Sequence, residues 1–217
     1  MSPQHIWYLK SCWYPALQNS LLLRSSDVVV YLNPPENELQ EAKKLLQDTF
    51  KHQKLTIHER DNPGYQEGAI AALTDAAREG WFHGYDWVIR VNPNVIIRND
   101  AFLLNVMQND PNATALLVNC IRSNNRPIVH TDFFAIQPGA LAPNTFLNST
   151  INNAERAFTN AIRKDILNVG KHRWIKEASP SQMVCRVGHG IALKKTPITH
   201  FHQKEKLLNN FTCPIPF

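Results

Sequence analysis

This sequence of 217 residues has few cysteines, no long apolar run and a low content of charged side chains. The cysteines stand singly and form no Cys-x-x-Cys pair, which argues against a structural zinc site: Cys12, Cys120, Cys185 and Cys213. Buried thiols are therefore the first expectation, and two disulfides are the alternative. No stretch reaches the ~18 apolar residues of a membrane-spanning helix, and the first residues lack the apolar segment of a signal peptide. We expect no membrane span in this chain.

The balance of charge limits the kinds of partner. Charged residues make up 19% of the chain and apolar residues 43%, which is typical of a globular protein rather than a disordered one. The net charge of +5 and the pI of about 9.1 suit partners that carry phosphate groups. A nucleic-acid-binding protein is nevertheless the least favoured class, because the sequence has no clustered basic helix and no aromatic-basic repeat. We predict no nucleic-acid partner.

The order of elements in the first half predicts the fold class. The predicted strands are His5–Leu9, Asp27–Leu32, Leu55–His58 and Asp86–Val91, and the predicted helices are Pro15–Arg24, Glu36–Phe50 and Tyr65–Phe82. This alternation predicts an α/β fold with a Rossmann-like, mostly parallel sheet. In such sheets ligands bind beyond the carboxyl ends of the strands.

The second half of the chain is less regular than the first. Its predicted elements are two helices and two long β runs, followed by a tail of short strands: Asp100–Gln108, Ala113–Cys120, Pro127–Gln137 and Ile151–Leu167. No repeat, low-complexity tract or linker divides the chain. The length suits one core, so we predict a single domain over 1–217 with an irregular, partner-facing second half.

The stretch GYDWVIRVNPNVIIRND, Gly84–Asp100, interrupts an apolar strand with two amides and a proline. The strand resumes at once after Asn92-Pro93-Asn94, and strand ends of this kind often carry a site. Asn and Pro also dominate ordinary turns for local backbone reasons, so a simple bend is the alternative. Two carboxylates, which would hold a metal ion best, are absent from this turn.

Two segments carry a resemblance to a known protein family: NPGYQEGAIAALTDAAREGWFHGYDWVIRVNPNVIIRND, Asn62–Asp100, and HTDFFAIQPGAL, His130–Leu141. Over them the chain resembles glycosyltransferases of the GT-A fold, in particular a small fungal and algal-virus-type group. The resemblance implies a single GT-A-like domain, with a nucleotide-sugar-binding half at 1–100 and an acceptor-side half at 101–217. It also implies transfer of a hexosyl or pentosyl group from a nucleotide-diphosphate donor to a glycan or protein acceptor, with UDP-sugars as the first candidate donors.

The resemblance further implies a divalent metal cofactor, Mn²⁺ or Mg²⁺. In that family an Asp-x-Asp motif holds the ion against the donor's diphosphate, and Asn92-Pro93-Asn94 stands at its position here. A histidine near the C-terminus completes the ligand set, so the predicted metal ligands are Asn92, Asn94, His200 and His202. Neutral amide oxygens bind hard cations weakly. Three interpretations remain open: the metal binds weakly, His200 and the substrate supply most of its ligands, or cationic side chains replace it.

The candidates for contact with the donor are Lys10, Ser11, Asn62, Gly64, Glu67, Arg90, Asn92, Lys204 and Lys206. The first two end the first predicted strand, where a GT-A enzyme binds base and ribose. The next three open a predicted helix whose free amides can meet an anion or sugar hydroxyls. The three cationic side chains after them are candidate partners of the phosphates. For Arg90, pairing with Asp86 or another carboxylate is an equal alternative.

Asp132 and Glu155 are the candidate catalytic carboxylates. Asp132 interrupts a run typical of a core strand, with His130 on the same face, and a buried carboxylate is costly unless paired or functional. A structural, hydrogen-bonded Asp is the alternative. The resemblance implies that Glu155, near a helix N-terminus that favours its ionised form, deprotonates the acceptor. A glutamate that only caps that helix is the alternative.

A second functional hypothesis is a catalytically silent protein of the same fold that binds a nucleotide sugar or a glycan. Its main support is the lack of carboxylates in the Asn-Pro-Asn turn. The compartment stays open: the chain as written suits the cytoplasm, and a Golgi-type lumenal domain fits if an anchor lies outside it. The identity of the sugar and acceptor depends on loops around the pocket, which the fold does not set.

Overall fold

The structure, a computed structural model, describes residues 3–34, 36–61, 64–97, 99–121, 127–147, 153–175, 177–178 and 198–200. The helices are α1 Pro3–Tyr8, α2 Tyr14–Asn19, α3 Leu21–Arg24, α4 Leu39–Thr49, α5 Tyr65–Arg78, α6 Asp100–Asn109 and α7 Ala154–Ala161. The strands are β1 Val28–Leu32, β2 Leu55–Glu59, β3 Val88–Val91, β4 Val95–Ile97, β5 Ala115–Ile121, β6 Pro127–Ile136, β7 His172–Ile175, β8 Glu177–Ala178 and β9 Ile198–His200. Helices and strands occur in both halves of the chain, which confirms the predicted α/β fold class.

Four predicted site residues lie outside the described residues: Asn62, His202, Lys204 and Lys206. For His200 the backbone is described and the side chain is not. In the part of the chain that the structure covers, no helix combines the length and the apolar character needed to cross a membrane.

The N-terminal segment is helical, so the prediction of a strand over His5–Leu9 is wrong. The α1 helix continues into a π-helical turn at Leu9–Trp13 and then into α2. Its apolar side chains recur at helical spacing and are buried together in one core cluster with residues of β1 and α4: Tyr8, Leu9, Cys12, Trp13, Ala16 and Leu17. A short apolar run does not distinguish a strand from a helix, and here the burial of a whole helical stripe decides the structure.

Cys12 differs from the expectation of a buried thiol. Its side chain is fully buried, at 0% exposure, and it is disulfide-bonded. The sequence could not predict this, because isolated cysteines carry no information about which of them meet in the folded chain.

Ser20 divides the predicted helix Pro15–Arg24 into α2 and α3. Its backbone is extended, and its hydroxyl accepts a hydrogen bond from the backbone N–H of Leu23 while donating one to Asp100 Oδ2 at 2.9 Å. The same carboxylate oxygen accepts the backbone N–H of Leu22 at 3.0 Å. Asp100, in the first turn of α6, therefore fixes the point at which α3 begins.

The strands form three sheets in the described ranges. β1 pairs with β2 in parallel; a four-stranded sheet has the order β3-β6-β5-β7; and a small sheet has the order β4-β9-β8. The β3–β6 pair is antiparallel, with Arg90 opposite Phe134 and Val91 opposite Phe133. Val29 of β1 is 42% exposed, so this β-branched strand is not covered on both faces. The antiparallel β3–β6 pair is the feature that positions the site.

Aromatic packing holds α7 against the four-stranded sheet. Phe158 of α7 is fully buried and stacks on Phe134 of β6 with ring centroids 4.4 Å apart. It also stacks on Phe146, with ring centroids 5.9 Å apart. Burial of each ring contributes roughly 1.5–3 kcal/mol to the free energy of folding. The stack of Phe158 on Phe134 thereby positions α7 against β6.

Asp165, in the π-helical turn Arg163–Leu167 after α7, ties down the loop that follows β6. Its Oδ2 accepts the backbone N–H of Ala142 at 3.0 Å and the hydroxyl of Thr145 at 2.8 Å. The bond from Ala142, and then that from Thr145, holds the pKa of Asp165 below its ordinary value. The ionised carboxylate therefore stabilises this loop.

We expect Asp165→Ala to lower the free energy of unfolding at pH 7 by about 1–2 kcal/mol, because two hydrogen bonds to a charged acceptor are lost. The folded state lowers the pKa of Asp165, so its contribution is present above the unfolded pKa near 3.8 and is lost as the pH falls through the folded pKa. Urea unfolding of wild type and variant at pH 7, 5 and 3 measures the difference.

Asp48→Ala is the matched control, since Asp48 is exposed on α4, and we expect a change within about 0.5 kcal/mol. A deficit of the Asp165 variant that stays constant down to the lowest pH would contradict this account of the loop.

Candidate functional site

The Asn92-Pro93-Asn94 turn between β3 and β4 is held by three hydrogen bonds, each near 2.9 Å. The N–H of Val95 donates to the carbonyl of Asn92 across the turn, and the N–H of Asn92 donates to the carbonyl of Asp132 on β6. The indole of Trp13 donates to the carbonyl of Pro93. Because its backbone is held on both sides, the turn presents its side chains in a defined orientation.

The side chain of Asn92 joins a cation to an anion. Its Nδ2 donates to Asp132 Oδ1 at 2.5 Å, and its Oδ1 accepts from Nη2 of Arg90 at 3.3 Å. The amide therefore has its nitrogen toward the carboxylate and its oxygen toward the guanidinium. The alternative in which Arg90 pairs with Asp86 is not what the structure shows, because the guanidinium of Arg90 donates its hydrogen bond to Asn92.

Arg90 and Glu155 each bring one buried, unsatisfied atom to this region. Among the described residues, Nη1 of Arg90 and Oε2 of Glu155 have no hydrogen-bond partner. Burial lowers the pKa of Arg90, and the nearby carboxylates of Asp132 and Glu155 oppose that change. A guanidinium remains charged under these conditions. The region therefore holds one buried cation near two acidic side chains.

Asp132 and His130 lie on the same stretch of β6, as predicted. His130 is 2% exposed, and its Nδ1 accepts the backbone N–H of Asp132 at 3.3 Å. The same Nδ1 lies 3.7 Å from Asp132 Oδ2. A ring nitrogen that accepts a hydrogen bond has no proton to donate, so we interpret this contact as support of the Asp132 backbone and not as an ion pair.

The start of α7 is capped without help from Glu155. Asn153 Oδ1 accepts the N–H of Arg156 at 2.9 Å, and Gln66 Oε1 accepts the N–H of Ala154 at 2.7 Å. Glu155 is in the first turn of this helix, with its buried Oε2 unpartnered in the described part of the chain. The capping alternative for Glu155 is therefore not the arrangement observed.

The cap from Gln66 also joins the two helices that flank the site. Gln66 lies in the first turn of α5, which begins after Gly64, whose φ of +105° suits glycine. Glu67, the next residue, is exposed and does not line the cleft described below. The helices α5 and α7 are thus connected through one side-chain amide.

A cleft of about 1250 Å³ brings six of the predicted site residues together: Gly64, Arg90, Asn92, Asn94, Asp132 and Glu155. Lys10 and Ser11 do not line it, whereas Leu9 and Trp13 of the same π-helical turn do. The prediction placed Lys10 and Ser11 at the end of a strand, and that placement is wrong because the segment is helical. In a helix, residues four apart share a face, so the apolar pair faces the cleft.

The described residues do not fit a hard divalent cation well. Asn92 Oδ1 already accepts from Arg90, and within the described ranges no group of three His, Cys, Asp or Glu side chains could hold a metal ion. Asn94 is 8% exposed. The backbone of His200 pairs with Val95, beside the turn. Ca²⁺ and Mg²⁺ take six or more oxygen ligands and favour carboxylates, and the turn offers amides.

Sequence reasoning missed two residues that hold the site. Trp13 anchors the turn from 80 residues away, and Gln66 caps α7 from 88 residues away. No local pattern signals either contact, because both depend on how distant segments meet. A lone Gln in a helix and a lone Trp in an apolar stripe have ordinary structural interpretations.

Solved structures with a similar chain arrangement include two glycosyltransferases. One is involved in the glycosylation of the major capsid of PBCV-1; it is 13% identical with a TM-score of 0.47, and the match covers 79% of this chain and 90% of that one. The other is the mannosyltransferase PcManGT from Pyrobaculum calidifontis in complex with GDP-Man and Mn²⁺, 16% identical with a TM-score of 0.45. That match covers 79% of this chain and 52% of the other, about half its length. No protein-family model and no curated protein matches the chain.

We expect Gln66→Leu to lower the free energy of unfolding by about 1–3 kcal/mol, because the N–H of Ala154, a residue 1% exposed, loses its acceptor. Gln66→Glu keeps an acceptor oxygen and should lose less. Chemical unfolding of the purified variants measures both.

Gln47→Leu, on the exposed face of α4, is the matched control and should change stability little. Equal losses in the Gln66→Leu and Gln47→Leu variants would show that the cap contributes nothing.

Proposed function

We propose that the protein is a glycosyltransferase that moves a sugar from a nucleotide-diphosphate donor to a glycan or protein acceptor. One observation carries the proposal: a buried cationic donor and a buried carboxylate oxygen, Arg90 Nη1 and Glu155 Oε2, belong to residues of one cleft and lack partners among the described residues. Buried polar atoms without partners cost free energy. A ligand that offers an anion to one and a hydroxyl to the other satisfies both.

Sugar transfer needs opposite charges at two such positions. The acceptor oxygen forms a bond to C1 of the sugar as the bond between C1 and the diphosphate oxygen breaks. The diphosphate leaves with the electron pair of that bond, and a fixed cation stabilises its charge. The acceptor hydroxyl gives its proton to a carboxylate base. We assign the first role to Arg90 and the second to Glu155.

Asp132 is the second carboxylate in this proposal. Its Oδ1 is held by Asn92, and the residue lines the same cleft as Glu155. Held in this way, it can orient a hydroxyl of the transferred sugar or of the acceptor by accepting its hydrogen bond. The hydrogen bond from Asn92 also fits the alternative in which Asp132 has only a structural role. If the Asp132→Asn variant loses activity and keeps its stability, Asp132 acts on the substrate.

The remaining donor contacts follow the sequence prediction. Gly64, at the start of α5, lines the cleft and is proposed to face the donor. Asn62, Lys204 and Lys206 are proposed to complete the contacts to the nucleotide and phosphates. UDP-sugars remain the first candidate donors, and a bound Mn²⁺ or Mg²⁺ would supply a further positive charge to the diphosphate. The sequence prediction names Asn92, Asn94, His200 and His202 as ligands of such an ion, and the hydrogen bond from Arg90 to Asn92 opposes that role for Asn92.

A second function is a catalytically silent protein that binds a nucleotide sugar or glycan. The observation that favours it is the turn itself, where amides stand in place of the family's carboxylates. Such a protein would bind in the same cleft and release no nucleoside diphosphate.

We expect the purified protein, incubated with UDP- and GDP-sugars and a mixture of glycan acceptors, to release nucleoside diphosphate. Glu155→Gln should lower kcat by at least about 100-fold, because the general base is lost. Asp132→Asn should also be slower. Released diphosphate is measured by a coupled assay, and each variant's melting temperature is measured alongside.

Glu41→Gln is the matched control: Glu41 is also in the first turn of a helix, α4, and is exposed. It should retain wild-type activity. If a donor raises the melting temperature of wild type and no turnover occurs, the silent-binder function replaces the transferase.

A further inference from the structure

Both polar atoms of the Asn92 amide already make a hydrogen bond at the place where a metal ligand was expected. Its Nδ2 donates to Asp132 and its Oδ1 accepts from Arg90. An ion bound at that oxygen would lie next to a guanidinium, and like charges a few ångströms apart repel strongly away from bulk water. The contact with Arg90 therefore opposes a divalent ion at Asn92.

Asp132 also has its Oδ1 engaged, through Asn92. The other acidic side chain near Arg90 is Glu155, on a different helix. These two carboxylates do not form a three-ligand cluster with any His, Cys, Asp or Glu in the described ranges. Hard divalent ions need more oxygen ligands than this arrangement offers.

Arg90 has the properties of a replacement for the ion. It stands on β3 opposite Phe134, so the strand pair fixes its backbone. Its Nη2 is held by Asn92, and its buried Nη1 has no partner among the described residues. A desolvated guanidinium binds phosphate oxygens through strong, directed hydrogen bonds. One nitrogen thus anchors the group, and the other is left to bind an anion.

We propose that Arg90 takes the place of the divalent ion, so that the protein binds a nucleoside diphosphate without metal. This inference rests on the proposed function and deepens it. In the transfer step the C1–O bond to the diphosphate breaks, the acceptor oxygen bonds to C1, and the acceptor proton passes to a carboxylate. The leaving diphosphate keeps the electron pair of the broken bond and lies against the guanidinium.

Isothermal titration calorimetry with UDP, GDP and ADP tests the inference directly. Each nucleotide is titrated into the full chain in EDTA and, separately, in Mn²⁺. We expect at least one of them to bind in EDTA, with a Kd that Mn²⁺ changes by less than about threefold. Arg90→Gln should weaken that binding about 10- to 100-fold, the effect of losing one charged hydrogen bond.

Two further variants complete the design. Arg78→Gln, an exposed arginine on α5 whose side chain is 67% exposed, is the matched control and should bind as wild type does. Arg90→Lys keeps the charge without the planar fork, so its affinity should fall between those of Arg90→Gln and wild type. If Arg90→Gln does not fold, the lysine variant and the comparison of wild type in EDTA and Mn²⁺ decide the matter.

Each outcome separates the inference from the proposed function. Binding of a nucleotide only in Mn²⁺, or equal binding by wild type and Arg90→Gln in EDTA, overturns the role of Arg90 and leaves sugar transfer standing. Failure of all three nucleotides to bind under either condition overturns the proposed function together with the inference. Binding in EDTA that depends on Arg90 supports both.

Discussion

The contact on which the site depends is the amide of Asn92 between Arg90 and Asp132. A guanidinium and a carboxylate that are removed from bulk water are costly unless each has hydrogen-bond partners. The amide is neutral and offers a donor on one side and an acceptor on the other, so it connects the two charges in a fixed geometry. Asn92 therefore orients both charges while adding none of its own.

The fold makes this contact through an antiparallel pair of strands. With Arg90 opposite Phe134 and Val91 opposite Phe133, the backbone of Asn92 meets that of Asp132. The Asn92-Pro93-Asn94 turn then ends β3, and the indole of Trp13 holds this turn through a hydrogen bond to the carbonyl of Pro93. The first residues of α7 also line the cleft. This helix is packed against β6 through the Phe158–Phe134 stack, and its first turn accepts support from Gln66. Core packing and helix capping thus position the charged groups.

The sequence predicted those parts of the structure that depend on local pattern. The interrupted strand at Asn92 was visible because two amides and a proline stand inside an apolar run, and Asp132 was visible because it is an acid in a core strand. The helical start of the chain was mistaken for a strand, since the periodicity of five residues does not settle the choice. Gln66 and Trp13 act across 80 residues or more, where no spacing rule applies.

The charge around the turn explains why an amide suits this position when an arginine precedes it. Arg90, Asp132 and Glu155 together carry one net negative charge when both acids are ionised. An aspartate at position 92 would raise this to two, and the repulsion among three neighbouring carboxylates would then favour a divalent cation to balance them. With asparagine there, the guanidinium leaves a smaller imbalance and the need for a metal falls. The side chain that suits position 92 therefore depends on the charge at position 90: an amide suits it when residue 90 is an arginine.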